Sequence, residues 1–387
     1  MNIEQQRQQF LGLENKIYFN FGGQGTMPKA ALEAIIDAHK YIQKNGPFSL
    51  KVNSWVQKRT NLAKEAIATE LVATSETITL TENVTAGCNI ALWGIDWKAG
   101  DHILMTDCEH PGIIAIIQEL VRRFQVEVST CPILATLNQG DPVEVIHQHL
   151  QPNTRLVVVS HLLWNTGQVL PLQEIVKLCH NYTNSNQKIQ VLVDAAQSVG
   201  CLPLNLTELE ADFYSFTGHK WLCGPAGVGG LYVTPEAFKT LQPTFIGWRG
   251  VNTEKGQPSG WKEDGQKFEM ATSGYPLYEG LRGAIITHQE FGTSQERYQK
   301  ICELSAYLWR ELSQLESVSC LKKTPPESGL VSFQFNGSLS HHQLVQSLEE
   351  SGFLLRTIAD PDCIRACVHY FTLPGEIEQL IETIKKF

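Results

Sequence analysis

Residues 189–230 contain Ile189-Gln-Val-Leu-Val-Asp194-Ala-Ala-Gln197-Ser, then Asp212-Phe-Tyr-Ser-Phe-Thr217-Gly-His219-Lys220-Trp, then Gly224-Pro-Ala-Gly-Val-Gly-Gly. The first piece is a short apolar run with no alternation, as expected of a strand buried on both faces. It ends in a carboxylate, which puts Asp194 at the carboxyl edge of a sheet, where open α/β folds bind ligands. The second apolar stretch delivers Thr217-Gly-His219-Lys220 near the same edge. The glycines that follow let the backbone turn tightly.

Working outward, strand-like and helix-like stretches alternate. Residues 102–106 and 155–160 read as further buried strands, residues 111–124 as a helix with Pro111 in its first turn, and residues 171–182 as another helix. This predicts an α/β fold with a mainly parallel sheet covered on both faces. A long helix is expected over 55–72. Beyond residue 285 the pattern becomes helix (285–315), strand (329–335), helix (341–351) and helix (375–386). We therefore expect a large domain over 19–284 and a smaller C-terminal α+β domain over 285–387, with residues 1–18 packing on the small domain. Residues 247–268, rich in Gly, Trp and Lys, read as a long functional loop.

The 387 residues are 42% hydrophobic, enough for a large core. The formal charge of −9 and the lack of any basic stripe argue against a nucleic-acid partner. No run of 18 apolar residues suggests a membrane span, and residues 1–10 lack the apolar centre of a signal peptide. A cytoplasmic location is the expectation. The ten cysteines are scattered, which suits reduced, buried thiols, and no metal site is expected.

An Asp after a strand is most often a turn former, and a His-Lys pair is most often surface. The ordered set Asp194, Gln197, Thr217, His219 and Lys220 is harder to explain that way. It resembles the class V aminotransferase-like family of fold-type I pyridoxal 5′-phosphate (PLP) enzymes, especially cysteine desulfurases. Those carry Asp-x-x-Gln at a strand end and then Ser-x-His-Lys. The resemblance runs over nearly the full length.

It implies the fold-type I PLP-dependent transferase fold and PLP as cofactor, with Lys220 as the Schiff-base lysine. Asp194 would face the pyridine nitrogen, and Gln197 the phenolic oxygen. Thr217 and His219 would bind the phosphate. Thr81-Glu-Asn-Val-Thr85-Ala86-Gly87-Cys-Asn89 resembles the family's phosphate turn, which opens a helix whose N-terminus favours anions. Asp107-Cys-Glu109-His110-Pro111 resembles its Glu-His segment, so His110 would stack on the cofactor ring and could act as acid or base. Ser160-His161-Leu-Leu-Trp164-Asn165-Thr-Gly167 places Asn165 between cofactor and substrate, although Trp164 stands where the family has serine.

Asn20-Phe-Gly22-Gly23 resembles the segment that approaches the substrate carboxylate. Phe268-Glu-Met-Ala-Thr272 resembles the family's Phe-Glu-x-Gly-Thr, whose threonine reaches the phosphate of a neighbouring subunit, which implies a homodimer. Arg365 is the arginine expected to grip the substrate α-carboxylate, as a planar fork suits a carboxylate. Arg356, or Arg249, could hold a second carboxylate.

A desulfurase needs a nucleophilic cysteine on a mobile loop between the two C-terminal arginines. Here that gap is short, and Cys363 sits two residues before Arg365. A lyase needs no thiol: Lys220 could take the Cα proton and start a β-elimination. The resemblance thus implies a PLP-dependent cystine/cysteine C–S lyase giving pyruvate, ammonia and cysteine persulfide or sulfide, with an iron–sulfur protein as a sulfur acceptor. A desulfurase using an enzyme persulfide, or another class V activity, is the alternative. A non-enzymatic scaffold is the third reading, against which the retention of Lys220, Asp194 and Arg365 argues.

Overall fold

The computed structural model describes residues 2–185 and 187–387; residue 1, from the 1–18 segment, and residue 186 lie outside the described residues. The central sheet has seven strands: β1 (Ile78–Thr81), β2 (His102–Thr106), β3 (Glu127–Cys131), β4 (Thr154–Ser160), β5 (Gln190–Asp194), β6 (Phe213–Thr217) and β7 (Gly229–Val233). Their order across the sheet is β1-β7-β6-β5-β4-β2-β3. β7 is antiparallel to both β1 and β6, and every other neighbouring pair is parallel. Six strands therefore point the same way, and their carboxyl ends line one edge.

The apolar runs carry two cores at once because successive strand side chains face opposite ways. In β4, Val157 and Val159 join the cluster that includes Ile67, Ile175 and Tyr214. Leu156 and Val158 join the opposite cluster, with Ile113, Ile117 and Leu120 of the helix Pro111–Phe124. Full burial of each such side chain contributes roughly 1.5–3 kcal/mol.

The C-terminal unit is a four-stranded antiparallel sheet. Its strands are β8 (Val318–Cys320), β9 (Leu330–Phe335), β10 (Arg356–Ala359) and β11 (Asp362–Cys367), in the order β8-β9-β11-β10. Helices Ser294–Ser313, His341–Glu350 and Pro374–Ile384 pack on it through a separate apolar cluster. Near the N-terminus, Ile17–Tyr18 pairs in parallel with Phe353–Leu354. Arg7 forms a two-pronged ion pair with Glu376 at 2.6 and 2.9 Å.

Two local expectations need correction. The helix expected over 285–315 is two helices, Tyr275–Phe291 and Ser294–Ser313. The break is a capping box: the Thr293 hydroxyl accepts from the Glu296 amide, and the Glu296 carboxylate accepts from the Thr293 amide. Residues 247–268 are not a plain loop either. They contain an antiparallel hairpin, Val251–Glu254 with Gln257–Trp261, largely solvent-exposed. Among the described residues, no helix is long and apolar enough to cross a membrane.

The chain beyond Lys220 is tied to the C-terminal unit by two buried histidines. His369 Nε2 donates to the Trp221 carbonyl at 3.0 Å, and His288 Nε2 donates to the Leu222 carbonyl at 3.0 Å. Their Nδ1 atoms accept from the Tyr370 amide and the Tyr370 hydroxyl. Both rings are thus neutral and held in one tautomer. These two imidazoles and the Cys223 thiol lie within 4.8 Å of one another, but the ring nitrogens are already committed.

Burial holds the His369 pKa down to about 3. Unfolded, the same ring titrates near 6.5, so acid favours the unfolded chain, which binds the extra proton. The stabilisation from neutral His369 is complete above pH 6.5 and is lost as pH falls below it. We predict that acidification from about pH 7 to about pH 5 costs the wild type roughly 2 kcal/mol more than a His369→Gln variant. Urea unfolding of both proteins at the two pH values measures this; an equal loss in both rejects it.

Candidate active site

Strand ends and helix starts converge at the carboxyl edge of the sheet. β5 delivers Asp194, which is buried and accepts from the Ala196 amide at 2.9 Å. β6 delivers Thr217, whose hydroxyl lies 2.6 Å from His219 Nδ1. Lys220 follows. Burial is the main influence that pushes its amine down to about 8; Asp194 opposes this, and Arg365 and Arg356 add to it. Burial raises the Asp194 pKa, while Lys220 and His110 pull it back. Lys220 and Asp194 therefore share one electrostatic environment, in which the amine is close to losing its proton at neutral pH.

Two helix N-termini meet at this edge. Asn83 caps the helix Val84–Gly94 by accepting from the Ala86 amide at 2.9 Å, and Thr85 lies in the first turn. Asn89 Nδ2 donates to the Thr85 carbonyl. Gly87 is buried against β6, where a Cβ would collide with Ser215 Oγ. It lets the helix approach the sheet, a packing task the motif alone did not reveal. The second helix is Pro111–Phe124, capped by His110, whose Nδ1 accepts from the Gly112 amide at 3.1 Å. The His110 ring meets Trp164 edge-on, with centroids 5.7 Å apart. Burial, followed by smaller opposing effects of Asp194 and of Lys220 and Arg356, lowers the His110 pKa.

The C-terminal unit supplies the arginines. Arg365, on β11, is 1% exposed. Its Nη1 donates to the Trp164 carbonyl at 2.7 Å, while its buried Nε and Nη2 have no hydrogen-bond partner among the described residues. Arg356 stands directly opposite Arg365 in the strand register, so both side chains leave the same face. Unlike Arg365, Arg356 is exposed. Arg249 is elsewhere committed: it pairs with Glu269 at 2.6 Å, and Lys64 pairs with the same carboxylate at 2.7 Å. Arg249 is thus engaged by a buried carboxylate that it shares with Lys64.

Residues 19–25 run between the two units. The Cys367 amide donates to the Phe19 carbonyl, and the Gly25 amide donates to the His219 carbonyl. Gly22 lies against Arg365; a Cβ there would come within 2.9 Å of the Arg365 Cζ and 3.0 Å of Gln197 Oε1. Gly23 packs in the same way on the Asn20 side chain. Gln197 donates to the Gly22 carbonyl at 2.9 Å and accepts from Trp221 Nε1 at 2.9 Å. Asn165 reaches the β10–β11 turn, donating to the Asp360 carbonyl at 3.2 Å, and its Oδ1 is buried without a partner among the described residues. Thr272 lies on an exposed loop but lines the same cavity of about 710 Å³ as Ala86 and Asn89.

Two residues of this site received no role from sequence reasoning. Trp221 connects Gln197 to His369. Glu109 is a buried carboxyl between β2 and β4. The signal for Glu109 was present: an acidic residue just beyond a buried strand and adjacent to His110.

A family model described as Aminotransferase class-V matches residues 17–377. The chain belongs to the class V aminotransferase family. Among solved structures it is 53% identical to the cystine C–S lyase C-DES in complex with its reaction product cysteine persulfide; the match covers 98% of this chain and 100% of that one, with a TM-score of 0.96. A C-DES lysine-to-alanine mutant with glycine covalently linked to its PLP cofactor matches at 53% identity over 98% and 99% of the two chains, with a TM-score of 0.97. Among curated proteins, the cysteine desulfurase of Haloferax volcanii is 25% identical over 95% of this chain and 88% of its own length.

PLP fits the donor set on chemical grounds. Its aldehyde would suit the amine of Lys220, whose pKa burial lowers to about 8, its ring nitrogen would suit Asp194, and its phosphate the Val84–Gly94 helix start. We predict that imine formation between the apoprotein and PLP speeds up as pH rises through about 8, following loss of the Lys220 proton. Stopped-flow absorbance measures this; a midpoint near the ordinary lysine value, about 10.4, would contradict it. Arg365→Lys should raise KM for substrate by about tenfold or more, because an ammonium cannot reproduce the fork.

Proposed function

We propose that this chain is a PLP-dependent C–S lyase that cleaves L-cystine, and L-cysteine, by β-elimination. The likeness to C-DES at 53% identity supports the reaction. The observation that carries the choice of elimination is the connection between the two arginines. β10 and β11 form a tight hairpin, with Ala359 paired to Asp362 and Ile358 to Cys363. A hairpin held in ladder register cannot carry a cysteine into the site and out again. Cys363 itself is fully buried, and burial pushes its thiol up to about 12, far from the thiolate that sulfur transfer requires.

Lys220 would hold the cofactor through Nζ, with Asp194 facing its pyridine nitrogen and Gln197 its phenolic oxygen. Thr85, Ala86, Gly87, Thr217 and His219 would surround the phosphate, joined by Thr272 of a second copy in a homodimer. When bound, PLP supplies an electron sink that acidifies the substrate Cα–H.

The remaining work belongs to the side chains. Arg365 takes the substrate α-carboxylate with the Nε and Nη2 protons that have no other partner. Gly22 leaves the space for it, Gly23 continues that wall, and Asn165 borders the substrate. Arg356, on the same face, suits the second carboxylate of cystine. The Lys220 amine takes the Cα proton, and its lowered pKa, about 8, raises the share of free base at neutral pH. The bond from Cβ to sulfur then breaks. A persulfide leaves more readily than a simple thiolate because it is less basic. Cystine and water thus become pyruvate, ammonia and cysteine persulfide. Because the Gly112 amide occupies His110 Nδ1, any proton His110 gives or takes passes through Nε2.

The persulfide product is a form of sulfur that an iron–sulfur protein could accept, and a cytoplasmic homodimer is the setting we infer. Two variants test the reaction. Cys363→Ala should keep pyruvate formation from cystine within about twofold, and Lys220→Ala should lower it by about a thousandfold or more. Loss of all sulfur release in Cys363→Ala, with Lys220 intact, would favour the desulfurase.

A further inference from the structure

Glu109 sits immediately before His110, and its carboxyl reaches across the sheet edge to β4. Oε1 accepts from Thr106 Oγ1 at 2.7 Å and from the Ser160 amide at 2.9 Å; Oε2 lies 2.9 Å from Ser160 Oγ. Ser160 is the strand partner of Asp194. Two buried carboxyls therefore flank the end of β4, Asp194 from β5 on one side and Glu109 from just beyond β2 on the other.

Their surroundings differ. Asp194 feels Lys220 and His110, both of which favour its ionised form. The groups that hydrogen-bond to Glu109 are all uncharged, Thr106 Oγ1 and the amide and hydroxyl of Ser160. The titratable groups facing it are Asp194 from β5 and the thiols of Cys88, Cys108 and Cys131, which burial keeps protonated. Two neighbouring carboxylates in a dry site do not both ionise readily; the one near cations keeps the charge.

We propose that Glu109 is a positioning residue that carries a proton in the working enzyme, leaving Asp194 as the buried carboxylate charge that faces Lys220. Its Oε2–H donates to the Ser160 hydroxyl, while Oε1 accepts from Thr106 and the Ser160 amide. The neutral acid thus ties the His110 segment to β4 without adding charge. An ionised Glu109 would place a second anion beside Asp194 and favour the protonated, inactive form of the Lys220 amine. Burial raises the Glu109 pKa to about 8; the hydrogen bonds from Thr106 and Ser160 oppose this, and Asp194 adds to it.

The effect on turnover rests on the lyase reading above; the protonation state does not. Difference infrared spectra of wild type minus Glu109→Gln, near neutral pH with and without PLP, should show a protonated-carboxyl C=O stretch present only in the wild type. In the holoenzyme, Glu109→Gln should keep kcat within about threefold, since the amide mimics the neutral acid, whereas Glu109→Ala should lower kcat about tenfold or more at unchanged KM. Loss of carboxylate bands in place of the acid band overturns the proposal, as does full kcat in Glu109→Ala. The infrared comparison decides the protonation state even if the protein turns out to act on a different substrate.

Discussion

A lysine amine shielded from water near a buried carboxylate is the constraint around which this molecule is arranged. Lys220 and Asp194 lie at the ends of neighbouring strands, where a parallel sheet can hold charged groups away from water without interrupting its own ladder. Burial pushes the amine toward its neutral form and the carboxylate toward its protonated form, and each group partly restores the charge of the other. Two arginines then shift the balance at the amine toward neutrality. A lysine in that state can form an imine and later act as a base; an exposed lysine could do neither efficiently at neutral pH.

Holding this pair requires parts from distant stretches of chain. Residues 19–25 cross between the units and touch both the His219-Lys220 backbone and β11. Gln197, Trp221 and His369 continue the connection from the sheet edge to the C-terminal unit. Arg365 Nη1 is held by the backbone carbonyl of Trp164, whose ring also meets the His110 ring.

The parallel strands were legible because burial on both faces leaves nothing but apolar residues, as in Leu156 to Val159. The cofactor residues were legible because they fall where those runs stop. Other features depend on partners distant in sequence and were not. Arg249 reads as a free charge until Glu269 and Lys64 are seen beside it. The hairpin Val251–Trp261 lacks alternation because nearly all its side chains face solvent. The turn at Thr293 was written in the sequence as Thr-x-x-Glu but was overridden by the apolar periodicity on either side. Gly87 resembles a phosphate contact, yet its close approach to Ser215 becomes visible only in three dimensions.

The central claim is that sulfur leaves with the product and never resides on the enzyme. Wild-type enzyme turning over cystine should yield pyruvate in proportion to the cystine consumed and no alanine. Intact-mass analysis of the protein after turnover should find no added sulfur. Alanine as the three-carbon product, with a persulfide on any cysteine of the chain, would contradict the account.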